Sequence, residues 1–245
     1  GYIMAEATSL EQYIALQDRI GWRRWLLRAL IRTVGFNVLC KVEASGTENI
    51  PADGPVIIMM NHISAIDPVV CMGAIRHRYV IPMTKVENTH NRFLRFMVWW
   101  WGSYTVDRDT VDRSALLNSI ELLKSGQMIL IAPEGTRHPE GLAEAKDGLA
   151  YVAVKAGATI IPTTLTGTQD FKQRWKRGRR AYAKVTFGKP FRYTATPTDR
   201  LSKSLRQQMT REGMYQLAIT QPDPDLRGVF SDIENATTET LTFTS

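Results

Sequence analysis

Cysteine is scarce in this chain: 245 residues contain two, Cys40 and Cys71. They stand far apart, with no CxxC and no Cys/His spacing of the kind that holds zinc. That excludes a disulfide framework of the sort that staples small secreted domains, and points to a reducing compartment. No uninterrupted apolar run approaches the roughly 18 to 20 residues that span a bilayer as a helix. Membrane contact is therefore expected to be peripheral. There is no internal repeat, no low-complexity tract and no G-x-S-x-G elbow, so a serine nucleophile of the hydrolase type has no seat. Acidic charge is short as well, with 24 Asp and Glu against 31 Lys and Arg, a formal net charge of +7. That balance favours anionic partners (phosphates, acidic lipids, an acidic carrier protein, nucleic acid) without choosing among them.

What is present is an ordinary globular composition, 44% hydrophobic and 22% charged, on a chain long enough for a sizeable core. Three regions are expected: an amphipathic helical segment over 1–37, one α/β domain over 38–221, and an acidic, Thr-rich polar tail over 222–245, peripheral to the chemistry. In the first region Trp22, Trp25, Leu26, Ala29, Leu30, Thr33 and Val34 recur at helical spacing, with Arg24, Arg28 and Arg32 down another side. Gly21 and Gly35 bracket the second half. Two readings stand: a helix lying in a membrane interface, or one packed on its own domain with a solvated basic face.

Beyond it, strand-like runs at 38–43, 56–60, 79–82, 103–106, 128–132, 159–165 and 183–187 alternate with helical runs at 68–76, 92–99, 111–123 and 148–156. A last helix is expected over 198–219. Repeated alternation predicts an α/β fold, a mostly parallel mixed sheet flanked by helices.

Asn61-His62-Ile63-Ser64-Ala65-Ile66-Asp67-Pro68 follows the apolar run 56–60. It lies at the carboxyl end of an expected strand, the edge where open α/β sheets bind ligands. A histidine acting as base needs a partner on one ring nitrogen to leave the other free, and Asp67 is five residues on across a turn. The bland alternative is a helix start, with Asp67 as N-cap, Pro68 at the first helical position and His62 an ordinary buried histidine. A second constellation, Glu134-Gly135-Thr136-Arg137, ends the apolar run 128–132. Gly135 permits a tight turn and close approach to a ligand, and Arg137 offers a planar fork suited to phosphate. Its bland alternative is a turn with an internal Glu–Arg pair. Lys146 opens the next helix, and Lys85 and Arg108 follow strands. Four basic side chains so placed suit an anionic ligand, although each alone is an ordinary surface charge.

In order and spacing these residues resemble the phospholipid/glycerol acyltransferase family, the 1-acylglycerol-3-phosphate acyltransferases. The family's Asn-His-x4-Asp is matched by Asn61, His62 and Asp67. Its Lys-x-Glu resembles Lys85-Val86-Glu87, and its Gly-led strand ending in Arg resembles Gly102 to Arg108. Glu-Gly-Thr-Arg stands intact at Glu134 to Arg137, Lys-x-Gly fits Lys146 to Gly148, and the fourth motif's proline matches Pro162. The resemblance spans about 38–188. Departures are Ala145 for an aromatic, His138 for a common Ser, and Thr163-Thr164 for aliphatics, which bear on pocket shape and acceptor choice.

The resemblance implies acyl transfer from acyl-CoA or acyl carrier protein to the hydroxyl of 1-acylglycerol 3-phosphate, giving phosphatidic acid. His62 is the implied general base and Asp67 its orienting carboxylate. Glu134, Gly135, Thr136, Arg137, Arg108, Lys85, Asn61 and Lys146 are the implied substrate-binding set, with oxyanion donors expected among backbone N–H groups near Gly135 or Asn61. No metal and no resident cofactor is called for. The implied partners are an anionic membrane surface, contacted peripherally or monotopically from the cytoplasmic side, and the lysophospholipid acceptor. Met97-Val98-Trp99-Trp100-Trp101 is a candidate wall for the acyl chain, or simply core aromatics. Lys172, Arg174, Lys176, Arg177, Arg179, Arg180 and Lys184 crowd a presumed loop around Trp175, suiting lipid headgroups or coenzyme A phosphates better than nucleic acid, which is not expected. The alternatives are another lysolipid, glycerol 3-phosphate or an amino-lipid as acceptor, a thioesterase with water as acceptor, and a non-catalytic basic binding module.

Overall fold

Strands apolar on both faces belong in the middle of a sheet covered by helices on each side, and three segments here are of that kind. The computed structural model describes residues 9–85, 92–106 and 113–244; the side chains of 84, 85, 92–95, 105, 106 and 113 fall outside that description. In chain order the elements are α1 (Leu10–Arg19), α2 (Gly21–Leu30), a π-type continuation (Ile31–Leu39), β1 (Cys40–Ser45), β2 (Val56–Met60), α3 (Asp67–Ala74), β3 (Val80–Lys85), α4 (Arg92–Trp101), β4 (Tyr104–Val106), α5 (Arg113–Lys124), β5 (Met128–Ile131), α6 (Gly148–Ala156), β6 (Thr159–Thr166), α7 (Phe171–Lys176), β7 (Ala181–Phe187), β8 (Phe191–Tyr193), α8 (Lys203–Thr220) and β9 (Leu241–Phe243). The sheet order is β1-β7-β6-β2-β5-β3-β4, with β8 joining β6 to β9.

The five strands β6, β2, β5, β3 and β4 run parallel; β7 is antiparallel to β6, and β1 runs parallel to β7. The mixed, mostly parallel sheet is the fold the alternation predicts. Val56 pairs with both Met128 and Thr159, and Val80 also pairs with Met128. The central strands therefore start level and release their following loops at one edge.

Alternate side chains of each strand feed two core layers, as a period of two requires. Ile57, Met59, Ile129 and Ile160 pack on one face with Leu123 of α5, Val152 of α6 and Met214 of α8. Val56, Ile58, Met60, Leu130 and Ile161 pack on the other with Leu27 of α2 and Val70 and Cys71 of α3. No helix among the described residues is long and apolar enough to cross a membrane.

The basic face of the N-terminal helices is not solvated as the second reading expects, because α2 docks by its arginines. Arg24 is 2% exposed and donates to the carbonyls of Trp101 (2.7 Å) and Gly102 (3.4 Å) and to Gln17. Arg23 reaches Trp99 O at 2.9 Å, Arg28 the carbonyls of Ile75 and Arg78, and Arg32 that of Gly73 at 2.8 Å. Most of these acceptors lie at the C-terminal ends of α3 and α4, where carbonyls lack helical partners and carry the negative end of the dipole. The apolar side is turned outward instead, with Trp22, Trp25, Leu26, Leu30, Val34 and Val38 all exposed. Gly35 does not end the segment but lies within the π-type continuation.

Two further segments differ from expectation. The presumed basic loop contains α7, seated by the partly buried Phe171. The polar tail buries Leu226, Phe230 and Leu241 and adds β9 to the sheet through β8.

Candidate active site

His62 is the second residue after β2, and its Nδ1 lies 3.1 Å from Oδ2 of Asp67. The same Oδ2 accepts the backbone N–H groups of Ile63 (2.7 Å) and Ser64 (2.6 Å). Oδ1 accepts the hydroxyl of Thr168 at 2.6 Å. A carboxylate can only accept, so this contact calls for the imidazole tautomer with its proton on Nδ1, which leaves Nε2 to accept one. The Asp67 side chain is wholly buried, whereas that of His62 is 21% exposed. The imidazole is thus held from behind and open in front.

The helix-cap alternative for Asp67 does not hold. Asp67 is itself the first residue of α3, the cap position is Ile66, and no side-chain cap bond forms. Its carboxylate turns back into the preceding loop, where it closes 62–67 into a rigid hook around the imidazole.

Thr168 was not among the residues expected at the site. It is fully buried just past β6, the strand beside β2, and meets Asp67 across a separation of 101 residues. Asn61 moves the other way. It is 1% exposed, its Nδ2 donates to Leu165 O (3.1 Å), and Leu165 N donates to its Oδ1 (2.7 Å). One N–H and one lone pair of its amide pin β6 to the end of β2.

The Glu134–Arg137 turn leaves β5 next to this hook and is tied to it, since the N–H of His138 donates to the carbonyl of His62 at 2.7 Å. Gly135 has φ +75, a conformation that L side chains resist, and the Lys146 side chain lies over it. Glu134 is 6% exposed and its Oε2 accepts from Ala143 N at 2.8 Å, while Oε1 has no hydrogen-bond partner among the described residues. Burial raises its pKa, opposed by the Ala143 N–H, the His138 ring and the nearby His62 amide and ring. Thr136, Arg137 and Lys146 are exposed, and the expected Glu134–Arg137 pair is not formed. Arg137 stands with no ion pair among the described residues, a cation available to an external anion.

The remaining expectations divide. Lys85 ends β3, so its backbone reaches the same edge, but its side chain lies outside the described residues, as does the whole of Arg108. Oxyanion donors are expected among backbone N–H groups near Gly135 or Asn61; the amides of these two residues themselves are engaged by Ala132 O and Thr163 O. In the aromatic run, Trp101 is core, fully buried and bonded to Val80 O, and Trp99 and Trp100 stack around Arg23. Among the described residues no cluster of His, Cys, Asp and Glu could hold a metal ion.

Comparison with known proteins points to one family. Residues 41–166 match the family model described as Acyltransferase, a stretch that contains the His62–Asp67 hook and the Glu134–Arg137 turn. The 1-acyl-sn-glycerol-3-phosphate acyltransferase of Borreliella burgdorferi is 32% identical over 149 residues, covering 60% of this chain and 59% of that protein. The protein of the same name from Bacillus subtilis is 28% identical, covering 61% and 73%. The mouse 1-acyl-sn-glycerol-3-phosphate acyltransferase alpha is 28% identical over 181 residues, covering 72% and 63%. The chain thus spans about three-fifths of the Borreliella and mouse relatives. The crystal structure of the 1-acyl-sn-glycerophosphate (LPA) acyltransferase PlsC from Thermotoga maritima superposes with a TM-score of 0.60 at 21% identity, covering 94% of this chain and 88% of that one, a likeness of fold.

Proposed function

The chain belongs to the acyltransferase family, and we propose that it transfers a fatty acyl group from acyl-CoA or acyl carrier protein to the free hydroxyl of 1-acylglycerol 3-phosphate, giving phosphatidic acid. The observation that carries this reading is the hook: an imidazole open on one side and fixed on the other by a buried, fully bonded carboxylate.

An alcohol is a weak nucleophile at neutral pH, and a positioned base contributes roughly 10²–10⁴-fold to its attack. Nε2 of His62 takes the hydroxyl proton as the oxygen attacks the thioester carbonyl. Asp67 holds the imidazolium that forms. The tetrahedral adduct then collapses to the new ester, the C–S bond breaks, and the proton returns to the departing sulfur. The acceptor hydroxyl plays the part a serine plays in a triad, so no acyl-enzyme forms. The free guanidinium of Arg137, with the Lys146 ammonium beside Gly135, suits the acceptor phosphate. The unpartnered Oε1 of Glu134 suits a substrate hydroxyl. Lys85, at the end of β3, and Arg108 are assigned to the same anion site by the family resemblance of their motifs. No metal or resident cofactor enters the scheme.

The outward stripe of Trp22, Trp25, Leu26 and Leu30 supports a peripheral or monotopic seat on a membrane, where a lysophospholipid acceptor resides. The cytoplasmic side suits the two free thiols.

The deciding experiment follows thiol release from palmitoyl-coenzyme A with 1-acylglycerol 3-phosphate, for the intact protein and for His62→Ala. Release that depends on the acceptor and falls at least about a hundredfold in the variant is the expected result. Acceptor-independent release would make the protein a thioesterase, and release indifferent to His62 would remove the base.

A further inference from the structure

One surface combines charge, exposure and an aromatic side chain, and the reaction above makes no use of it. From Phe171 to Arg180, six of ten residues are cations and none is an anion. Since the whole chain carries a formal net charge of +7, the rest of the molecule is close to neutral. Lys172, Arg174, Lys176, Arg177, Arg179 and Arg180 are all exposed and form no ion pair among the described residues. Self-repulsion makes such a cluster unfavourable for the folded state alone. Trp175 stands among them, 60% exposed. Only Phe171 faces inward, against the core layer formed with α2 and α3.

Both ends of this surface are fixed. At its start the N–H of Phe171 donates to the carbonyl of Thr168 at 3.1 Å, and the Thr168 hydroxyl is the one that holds Asp67. At its end a guanidinium nitrogen of Arg180 donates to the carbonyl of Phe36 at 2.6 Å, between the exposed Val34 and Val38. The basic surface therefore runs from the residue that backs the His62–Asp67 pair to the outward apolar stripe.

We propose that α7 and the turn after it bind the headgroups of anionic phospholipids. The proposal rests on the membrane seat inferred above and adds to it a selectivity for lipid charge, carried by elements outside the N-terminal helices. Guanidinium forks pair with phosphate oxygens in two-point contacts. Tryptophan settles at the headgroup level, where its ring is half in apolar surroundings and its N–H is wet. An acidic carrier protein offers the same sign of charge. Exposed Trp175 and the continuity with the apolar stripe favour a lipid surface over a soluble protein.

The test is co-sedimentation of the full chain with vesicles of phosphatidylcholine alone and of phosphatidylcholine with phosphatidylglycerol. The intact protein is compared with Lys172→Gln/Arg174→Gln/Lys176→Gln/Arg177→Gln and with Trp25→Ser/Leu30→Ser. The intact protein is expected to prefer the anionic vesicles, a preference that falls as salt rises. The quadruple variant loses it, at roughly fivefold per cation and so on the order of several hundredfold in all. The stripe variant binds both vesicles more weakly and keeps the preference. Should thermal melting show the quadruple variant misfolded, the pair Lys172→Gln/Lys176→Gln repeats the test.

Undiminished anionic preference in a folded variant overturns the assignment of α7 and leaves the membrane seat standing. An intact protein that binds neither vesicle overturns both. Unchanged vesicle binding with a raised KM for an acyl carrier protein donor overturns the lipid assignment in favour of carrier docking.

Discussion

At the scale of single residues, the proposed chemistry rests on where the four donors to Asp67 come from. Three are local: His62 itself and the amides of Ile63 and Ser64. Local spacing made the histidine and aspartate readable in the sequence, because a strand end and a five-residue turn leave few ways to place them. Thr168 is different in kind, since it meets Asp67 only because β6 happens to lie beside β2. Nothing in a linear pattern carries that adjacency. Thr168→Val keeps the volume and leaves Oδ1 of a buried carboxylate without a donor. A hydrogen bond to a charged group is worth about 1.5–3 kcal/mol, so a loss of roughly tenfold to a hundredfold in kcat follows if the bond serves to hold the imidazole. KM stays near its starting value, and Thr168→Ser restores most of the rate. A fall in KM-limited rate alone, or no rescue by serine, would make Thr168 a packing residue.

At the scale of elements, α2 shows what periodicity leaves open. A helix with an apolar stripe and an arginine row has the same pattern whichever side meets the protein. What decides is the partner surface, here the bare carbonyls that end α3 and α4 and call for donors. Those carbonyls are not visible in the sequence of α2. The two sides should accordingly answer differently to substitution. Burial pulls the pKa of Arg24 down to about 10, although Tyr13 and Tyr79 oppose it, so the group is still charged at neutral pH. Arg24→Met removes donors from Trp101 O, Gly102 O and Gln17 in a buried place, and is expected to cost about 3 kcal/mol of stability. Trp25→Ser, on the exposed side, is expected to change stability by less than about 0.5 kcal/mol. Thermal or denaturant unfolding of the two variants distinguishes the docked face from the free one, and equal effects would contradict the orientation described here.

At the scale of the whole molecule, the parallel sheet was legible because strands buried on both faces read as apolar runs; β2 and α6 fall on the expected residues. The packing of the C-terminal tail is not legible in the sequence, because its apolar residues are few and scattered and their burial depends on surfaces made elsewhere. The tail reaches the site through a short chain of contacts. Leu142 N donates to Leu226 O at 3.1 Å, Val229 N donates to Leu142 O at 3.0 Å, and the next residue, Ala143, donates to Glu134. Gly228, with φ +52, is needed there, because a Cβ would lie 2.0 Å from Leu142 O. Farther along, Glu212 of α8 clamps the tail by accepting from Thr237 Oγ1 (2.7 Å), from the N–H groups of Glu239 (3.1 Å) and Thr240 (2.8 Å), and from the Thr240 hydroxyl. Burial works to raise the Glu212 pKa, but these donors together hold it below the ordinary glutamate value. A depressed folded-state pKa means stability that is in full force above the unfolded-state value and is lost as pH falls through the folded one. Acidification below the ordinary glutamate range should therefore loosen the tail. Glu212→Gln should loosen it already at neutral pH, since a neutral amide accepts these donors less strongly and brings an N–H₂ among them. Limited proteolysis between 222 and 244 reports the release, and acyl transfer measured on the same samples reports whether the buttress behind Glu134 goes with it. If the tail in Glu212→Gln resists proteolysis at neutral pH as well as the parent does, the carboxylate is not what holds it. If the tail is released and the rate is unchanged, the contacts through Leu142 serve stability alone.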